Sequence, residues 1–169
     1  MASLPQRTVH RIGESPLAER VARVQELAYA PLIDRVRRSP LHSDVLGHPL
    51  HPPLTDVTLG CWLGATLLDL AGGVESRRGA TLLAGAGLLA SLPTALAGAA
   101  DGAELSGAER RVVAVHALGA DVATFLFVGS LTARLRGEHG RGARLAAAGN
   151  VVMVGAGFLG GHLALRRRR

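Results

Sequence analysis

Four apolar runs dominate the last two thirds of this 169-residue chain, each close to the roughly 20 residues that a helix needs to cross the hydrocarbon of a bilayer. They occupy residues 54–73, 80–100, 111–134 and 143–165, and the polar segments ESRRG, DGAELSGAERR and RGEHGRG separate them. Asp56, Asp69 and Asp121 interrupt the first and third runs, but the second, ATLLAGAGLLASLPTALAGAA, carries no charge at all. Helices of a soluble four-helix bundle need a charged outer stripe, and these runs are apolar all round. The connections are short, so neighbouring helices run antiparallel. The expected fold is all-α: a four-helix transmembrane bundle (up-down-up-down) preceded by an amphipathic N-terminal helix.

The chain divides by composition into a polar tail with that amphipathic helix, residues 1–45, and a four-span membrane domain, residues 46–169. Residues 1–14 are polar and are expected to lack fixed structure. From Ser15 the pattern becomes helical: Ser15 suits an N-cap, Pro16 suits the first helical position, and Leu17, Val21, Val24 and Ala28 recur at helical spacing opposite Arg20, Arg23 and Glu26. Pro31 is expected to end or kink this helix, with a shorter one following through Arg38. Such a helix lies on the membrane surface or covers the bundle, or else docks a soluble partner. The arginines and glutamates of residues 1–30 leave no long apolar run, which excludes a cleaved secretory signal and makes the first internal span direct insertion. Ser106 and Glu109 form a capping-box pattern, giving the third span an interfacial first turn that contains Arg110 and Arg111.

The formal charge of +6 comes from arginine without lysine. Only three Phe, one Tyr and one Trp are available to stack on bases, and no zinc-finger or RNA-binding signature is present, so nucleic acid is excluded as a partner. The arginines flank the spans instead, as expected of a protein whose first partner is the lipid bilayer. Nine lie on the amino-terminal side (Arg35, Arg37, Arg38, Arg110, Arg111 and Arg166 to Arg169) and six on the other (Arg77, Arg78, Arg134, Arg136, Arg141 and Arg144), which orients both termini toward the cytoplasm. The single Cys61, inside a span, excludes an intrachain disulfide and a Cys-based zinc cluster. Gly60 with Gly64 and Gly157 with Gly161 form GxxxG pairs suited to close helix packing in lipid.

Four histidines fall at span ends, and the alternation of the spans assigns them to one membrane face. His48 and His51 precede the first span, His116 opens the third and His162 closes the fourth. Asp56, early in the first span, and Asp101, at the end of the second, join them. Asp121 lies five residues past His116, about 140° around the helix, and faces a different partner; Asp69 belongs to the opposite end. Ionisable groups in spans face the bundle interior and pair with one another, with water or with a bound ion or cofactor. In GHPLHPP, residues 47–53, Pro49 and Pro52 bias His48 and His51 toward extended geometry, which sets the two imidazoles about 9 Å apart on one edge.

The stretch GHPLHPPLTDVTLGCWLGATLLDL, His116 at the start of the third span, and LGGHLAL at 159–165 together resemble the bacterial membrane family named domain of unknown function 2231. The resemblance runs from about Gly47 to Leu165, with GHPxHP and GGH as its specific parts. It implies a four-span, multi-pass protein of the bacterial inner membrane. Some members of that family are fused to Rieske-type iron–sulfur domains; this chain has no such ligand set, so a redox partner would be a separate protein.

Three function classes follow. A redox subunit would bind haem, the first choice of cofactor, with His116 and His162 as axial ligands on neighbouring helices and His48 and His51 serving propionates or an entry site. A site for a non-haem transition metal, the second choice, would draw on His48, His51, His116 and His162 with Asp56 and Asp101. A structural or partner-docking membrane protein would use the same cluster as an interhelical hydrogen-bond network and bind no cofactor. Hydrolytic catalysis is disfavoured, because GxSxG, P-loop and HExxH patterns are all missing from the sequence, and the chain is not expected to be an enzyme by itself.

Overall fold

The computed structural model describes residues 4–39 and 49–166, and their regular structure is helical throughout. Six helices follow in order among these residues: α1 (Leu4–Gly13), α2 (Pro16–Val36), α3 (His51–Ala71), α4 (Val74–Gly102), α5 (Gly107–Leu135) and α6 (His139–Arg166). The last four are long and apolar enough to cross a membrane. Their order and short connections give the expected alternating bundle. At 1.5 Å per residue, the 29-residue helices α4 and α5 reach about 43 Å, well beyond the hydrocarbon thickness, so their ends carry the charged groups that meet headgroups.

The helices pack mainly as two hairpins, α3 with α4 and α5 with α6. Where the hairpins meet, Trp62 of α3 stacks on Phe127 of α5, with ring centroids 4.2 Å apart and planes 4° from parallel. Both rings are fully buried, and Ala65, Ala84, Ala123 and Ala146 complete the core around them. Each ring lies on a glycine of its own hairpin's second helix. A Cβ at Gly149 would fall 2.8 Å from the Phe127 ring, and one at Gly87 would collide with the Trp62 indole. In lipid no hydrophobic exclusion drives helices together, so close contact of this kind holds them.

At one end of the bundle the hairpins meet a second time. Arg134 of α5, its side chain wholly buried, forms a two-armed ion pair with Asp69 of α3, one arm measuring 2.9 Å. Arg134 Nε also donates to Ser130 Oγ at 3.2 Å, and that hydroxyl donates to the Gly142 carbonyl at 2.7 Å. The guanidinium is thus satisfied from three directions.

The amino-terminal region departs from expectation in three ways. Residues 4–13 form α1, whose Val9 is buried against Val112 and Leu159, with Ile12 beside it. Pro31 lies inside α2 rather than ending it, so one helix runs from Pro16 to Val36. Ser15 caps that helix as expected, accepting from the Ala18 amide at 3.4 Å. The face that α2 turns to the bundle is built on the small residues Ala18 and Ala22, with Val36, while Leu17, Val24 and Leu27 point outward. The reason is electrostatic as well as steric. Arg110 and Arg111, in the first turn of α5, both reach Glu19, and Arg110 also reaches Glu26 at 2.7 Å. Those pairs fix the rotation of α2. Ser106 precedes α5 as expected, but its side chain makes no capping bond, and Arg111 Nε donates instead to the carbonyl of Gly13 at the end of α1.

Two outcomes follow. Removing one partner of a buried ion pair leaves an uncompensated charge, so Arg134→Ala should lower stability by about 3–5 kcal/mol, and Asp69→Leu with Arg134→Leu should recover much of the loss in thermal unfolding. The Glu19 carboxyl is held below the ordinary glutamate range, first by the Arg111 hydrogen bond and then by that of Arg110. Its contribution is therefore complete above the ordinary glutamate value and is lost as pH falls through the lowered one. A distance probe between α2 and α5 should report docking at neutral pH and release only under more acidic conditions than an unperturbed glutamate would require.

Candidate functional site

His51 is the first residue of α3, and Pro52 and Pro53 follow it in the opening turn. The extended geometry expected of a residue before proline does not hold here, because the first helical positions have no amide partner to lose and tolerate proline. His48 lies outside the described residues. The His51 ring reaches across to α4, where its Nδ1 donates to the Thr94 carbonyl at 3.0 Å. His116, on α5, repeats the arrangement in the other hairpin: its Nδ1 donates to the Ala156 carbonyl of α6 at 2.7 Å.

Both rings rest on a glycine four residues past the carbonyl they bind. A Cβ at Gly98 would lie 2.6 Å from the His51 ring, and one at Gly160 would lie 2.9 Å from the His116 ring. The cause is helix geometry. A carbonyl at position i points along the axis toward residue i+4, so a ring bonded to it lies over the Cα of that residue. Only glycine leaves the space.

The tautomer follows from the same bonds. A backbone carbonyl can only accept, so Nδ1 carries the proton of each neutral ring and Nε2 keeps its lone pair. Both imidazoles lie at the same end of the bundle, near the amino-terminal ends of α3 and α5. They form a pair of oriented nitrogen donors on facing helices at one end of the bundle.

These contacts expose a regularity in the sequence. His51, Asp56, Trp62 and Asp69 of α3 stand 65 residues before His116, Asp121, Phe127 and Arg134 of α5. In the second helices Ala84, Gly87 and Gly98 stand 62 residues before Ala146, Gly149 and Gly160. Trp62 touches its own counterpart Phe127, and Asp69 its own counterpart Arg134. Contact between equivalent residues is the mark of a two-fold relation. Since α3 and α5 run in the same direction, the axis lies along the helices, as in membrane proteins built from parallel repeats. The spacing His-x4-Asp-x5-aromatic-x6-ionisable, present twice, was the signal that could have revealed the repeat. Composition hid it, because apolar positions between the marks are interchangeable.

Among the described residues, no hydrogen bond or ion pair joins His162, Asp101 or Asp56 to either histidine of the pair. His162 lies on α6 two residues past Gly160, about 200° around the helix, so it does not face His116 as an axial partner on the neighbouring helix would. Its Nε2 is buried without a hydrogen-bond partner among the described residues. Asp101 sits near the end of α4, seven residues beyond Thr94, and Asp56 is exposed on α3. Among the described residues no group of three or more His, Cys, Asp or Glu side chains comes together to hold a metal ion. Asp121 faces away from the pair, as its angle from His116 implied, and accepts from the Tyr29 hydroxyl of α2 at 3.0 Å. The glycine pairs hold only in part: a Cβ at Gly64 would lie 3.0 Å from Leu83 of α4, whereas Gly60, Gly157 and Gly161 meet nothing within 4 Å, and the rings pack on Gly87, Gly98, Gly149 and Gly160.

The family DUF2231, described as predicted membrane protein, matches residues 47–168, well over half of the chain. Neither the curated proteins nor the solved structures yield a match. The matched stretch contains both hairpins and both histidines of the pair.

The tautomer assignment is directly measurable. Solid-state 15N NMR of the chain in lipid at neutral pH should show His51 and His116 protonated at Nδ1 and bare at Nε2. Gly160→Val should displace the His116 ring, and its 15N shifts should then move while those of His51 stay in place.

Proposed function

Because the chain belongs to the DUF2231 family of predicted membrane proteins, we propose that it is a membrane electron-transfer subunit that holds a haem between His51 and His116. The observation that carries this reading is the matched pair of imidazoles, each pinned through Nδ1 to a carbonyl, with no hydrogen bond to Nε2 among the described residues. Hydrogen bonding of one ring nitrogen to a carbonyl fixes orientation and raises the basicity of the other, which is the preparation that axial ligands of haem iron receive. The local two-fold favours a group that takes two like donors on opposite sides. Bound haem would supply one-electron chemistry, and this chain would supply ligation and an apolar surround. A separate redox protein would exchange the electrons. The excess of arginine on the amino-terminal side favours an inner-membrane orientation with both termini in the cytoplasm and the histidine pair near the cytoplasmic face.

A cofactor-free reading rests on the same two bonds: each imidazole ties one helix of a hairpin to the other and does nothing more. The test separates the two. Protein purified in detergent from cells fed a haem precursor should show a Soret band with low-spin character and about one haem per chain, and His51→Ala or His116→Ala should each abolish the low-spin spectrum. Protein that gains no Soret band, even after incubation with haemin, would contradict haem binding, as would a spectrum indifferent to both substitutions. If the substitutions lower only the unfolding temperature, the structural reading stands.

A further inference from the structure

Helix α2 divides its surface into three parts. Ala18 and Ala22 lie against the bundle, and Glu19 and Glu26 turn toward the arginines at the start of α5. Leu17, Val21 and Val24 share a third stripe, on which Leu17 and Val24 are exposed. The level at which α2 crosses α5 gives that stripe a meaning. Arg136, exposed at the C-cap of α5, marks one edge of the hydrocarbon; about 20 residues of helix cross its roughly 30 Å, so the other edge falls near His116. The acids of α2 reach Arg110 and Arg111 outside that edge, while Leu17, Val21 and Val24 border a cleft with Leu118, just inside it. Helix α2 therefore lies along the headgroup boundary with its apolar stripe toward the acyl chains.

The same cleft carries a cation without a partner. Arg20 lines it, three residues from Leu17 and four from Val24, so its stem lies beside both while its head reaches the headgroup layer. Glu19 is taken by Arg110 and Arg111, and Glu26 by Arg110, which leaves Arg20 with no carboxylate among the described residues. Arg23 is exposed as well, and only the same Glu19 stands near it, at 3.8 Å. The ion pairs that dock α2 thus turn its acids inward and leave its cations outward. Asp121 also lines the cleft, but it is half-buried, accepts the Tyr29 hydroxyl at 3.0 Å, and lies three residues deeper than Leu118, about 5 Å farther from the headgroups. Past Leu118 the exposed Val122 and Phe125 continue the apolar stripe down α5, in the direction that an acyl chain takes.

We infer that the cleft between α2 and α5 seats one anionic phospholipid of the adjoining leaflet. Its phosphodiester meets Arg20, and one acyl chain enters past Leu17, Val21 and Val24 and runs over Leu118. A zwitterionic lipid fits less well, because Glu19 and Glu26, the acids on this stretch of α2, are engaged and leave nothing to hold its ammonium at that level. The lipid would touch both helices and so would reinforce the docking of α2 that the ion pairs begin.

Native mass spectrometry of the full-length protein, titrated in detergent with dioleoyl phosphatidylglycerol or dioleoyl phosphatidylcholine, reads the Kd of the tightest-bound lipid. Phosphatidylglycerol should bind about fivefold more tightly, the factor that one arginine near an anionic surface contributes. Arg20→Gln should erase the preference and Arg20→Lys should keep it, as should Arg77→Gln at the other end of the bundle. Val21→Trp, which fills the cleft and leaves Arg20 in place, should weaken both lipids. The distance probe between α2 and α5 at neutral pH establishes that each variant keeps α2 docked. Equal binding of the two lipids would overturn the inference, as would a preference that survives Arg20→Gln, a preference lost equally in Arg77→Gln, or unchanged binding to Val21→Trp. Displacement of the bound lipid by an equal concentration of chain-free glycerophosphoglycerol would also overturn it, by showing that the headgroup alone accounts for binding. None of these readings depends on whether His51 and His116 bind haem.

Discussion

Flat rings lying on bare helix backbone hold this bundle together. Lipid offers helices no gain from hiding apolar surface, so they must touch closely enough for dispersion to favour contact with each other over contact with acyl chains. Trp62 on Gly87 and Phe127 on Gly149 provide that contact deep in each hairpin, and His51 on Gly98 and His116 on Gly160 provide it near one end. The Trp62–Phe127 stack then joins one hairpin to the other. A side chain at any of these four glycines would pry a ring away. Overpacking of this kind typically costs about 1–3 kcal/mol, and here it would also move the imidazoles that form the site.

The same arrangement separates the two ends of the molecule by chemistry. At one end sits the ion pair between Asp69 and Arg134, closed and fully partnered. At the other sit two imidazoles whose Nδ1 atoms are committed and whose Nε2 atoms, among the described residues, are not. A polar group inside a membrane protein is costly unless satisfied, so an oriented donor left unsatisfied is the place to look for a ligand. Both hairpins contribute equally to each end, which follows from their relation by a two-fold axis along the bundle.

Much of this architecture could be read from the chain. Run lengths and short polar connections were enough for the four spans and their alternation, and the alternation placed His51, His116 and His162 at one end. The position of Asp121 away from the histidines followed from its helical angle. Side-chain partnership could not be read in the same way. His116 and His162 are on neighbouring helices at similar depth, but depth says nothing about rotation, and rotation sends His162 elsewhere. Of the glycine pairs Gly60 and Gly64, and Gly157 and Gly161, only Gly64 packs closely within the chain, against Leu83, whereas the glycines that carry the rings are single ones facing another helix. Residues 1–14 looked too polar to fold because Val9 and Ile12 carry little apolar weight alone; residues 4–13 form a helix because Val112 and Leu159 offer it a surface. Pro31 was expected to end or kink α2, but the helix continues through it, with the ion pairs of Glu19 and Glu26 and the Tyr29 bond holding it against α5 close by.

The two hairpins meet through equivalent residues, and the contact between the single tryptophan and Phe127 is the most direct expression of that relation. Proton–proton nuclear Overhauser effects on the chain in lipid nanodiscs can report it, since the indole has no other tryptophan to be confused with. Strong cross-peaks from the Trp62 ring to the Phe127 ring and to the Gly87 α-protons are the result the account predicts. Cross-peaks from that indole to lipid acyl chains, with none to Phe127, would contradict it.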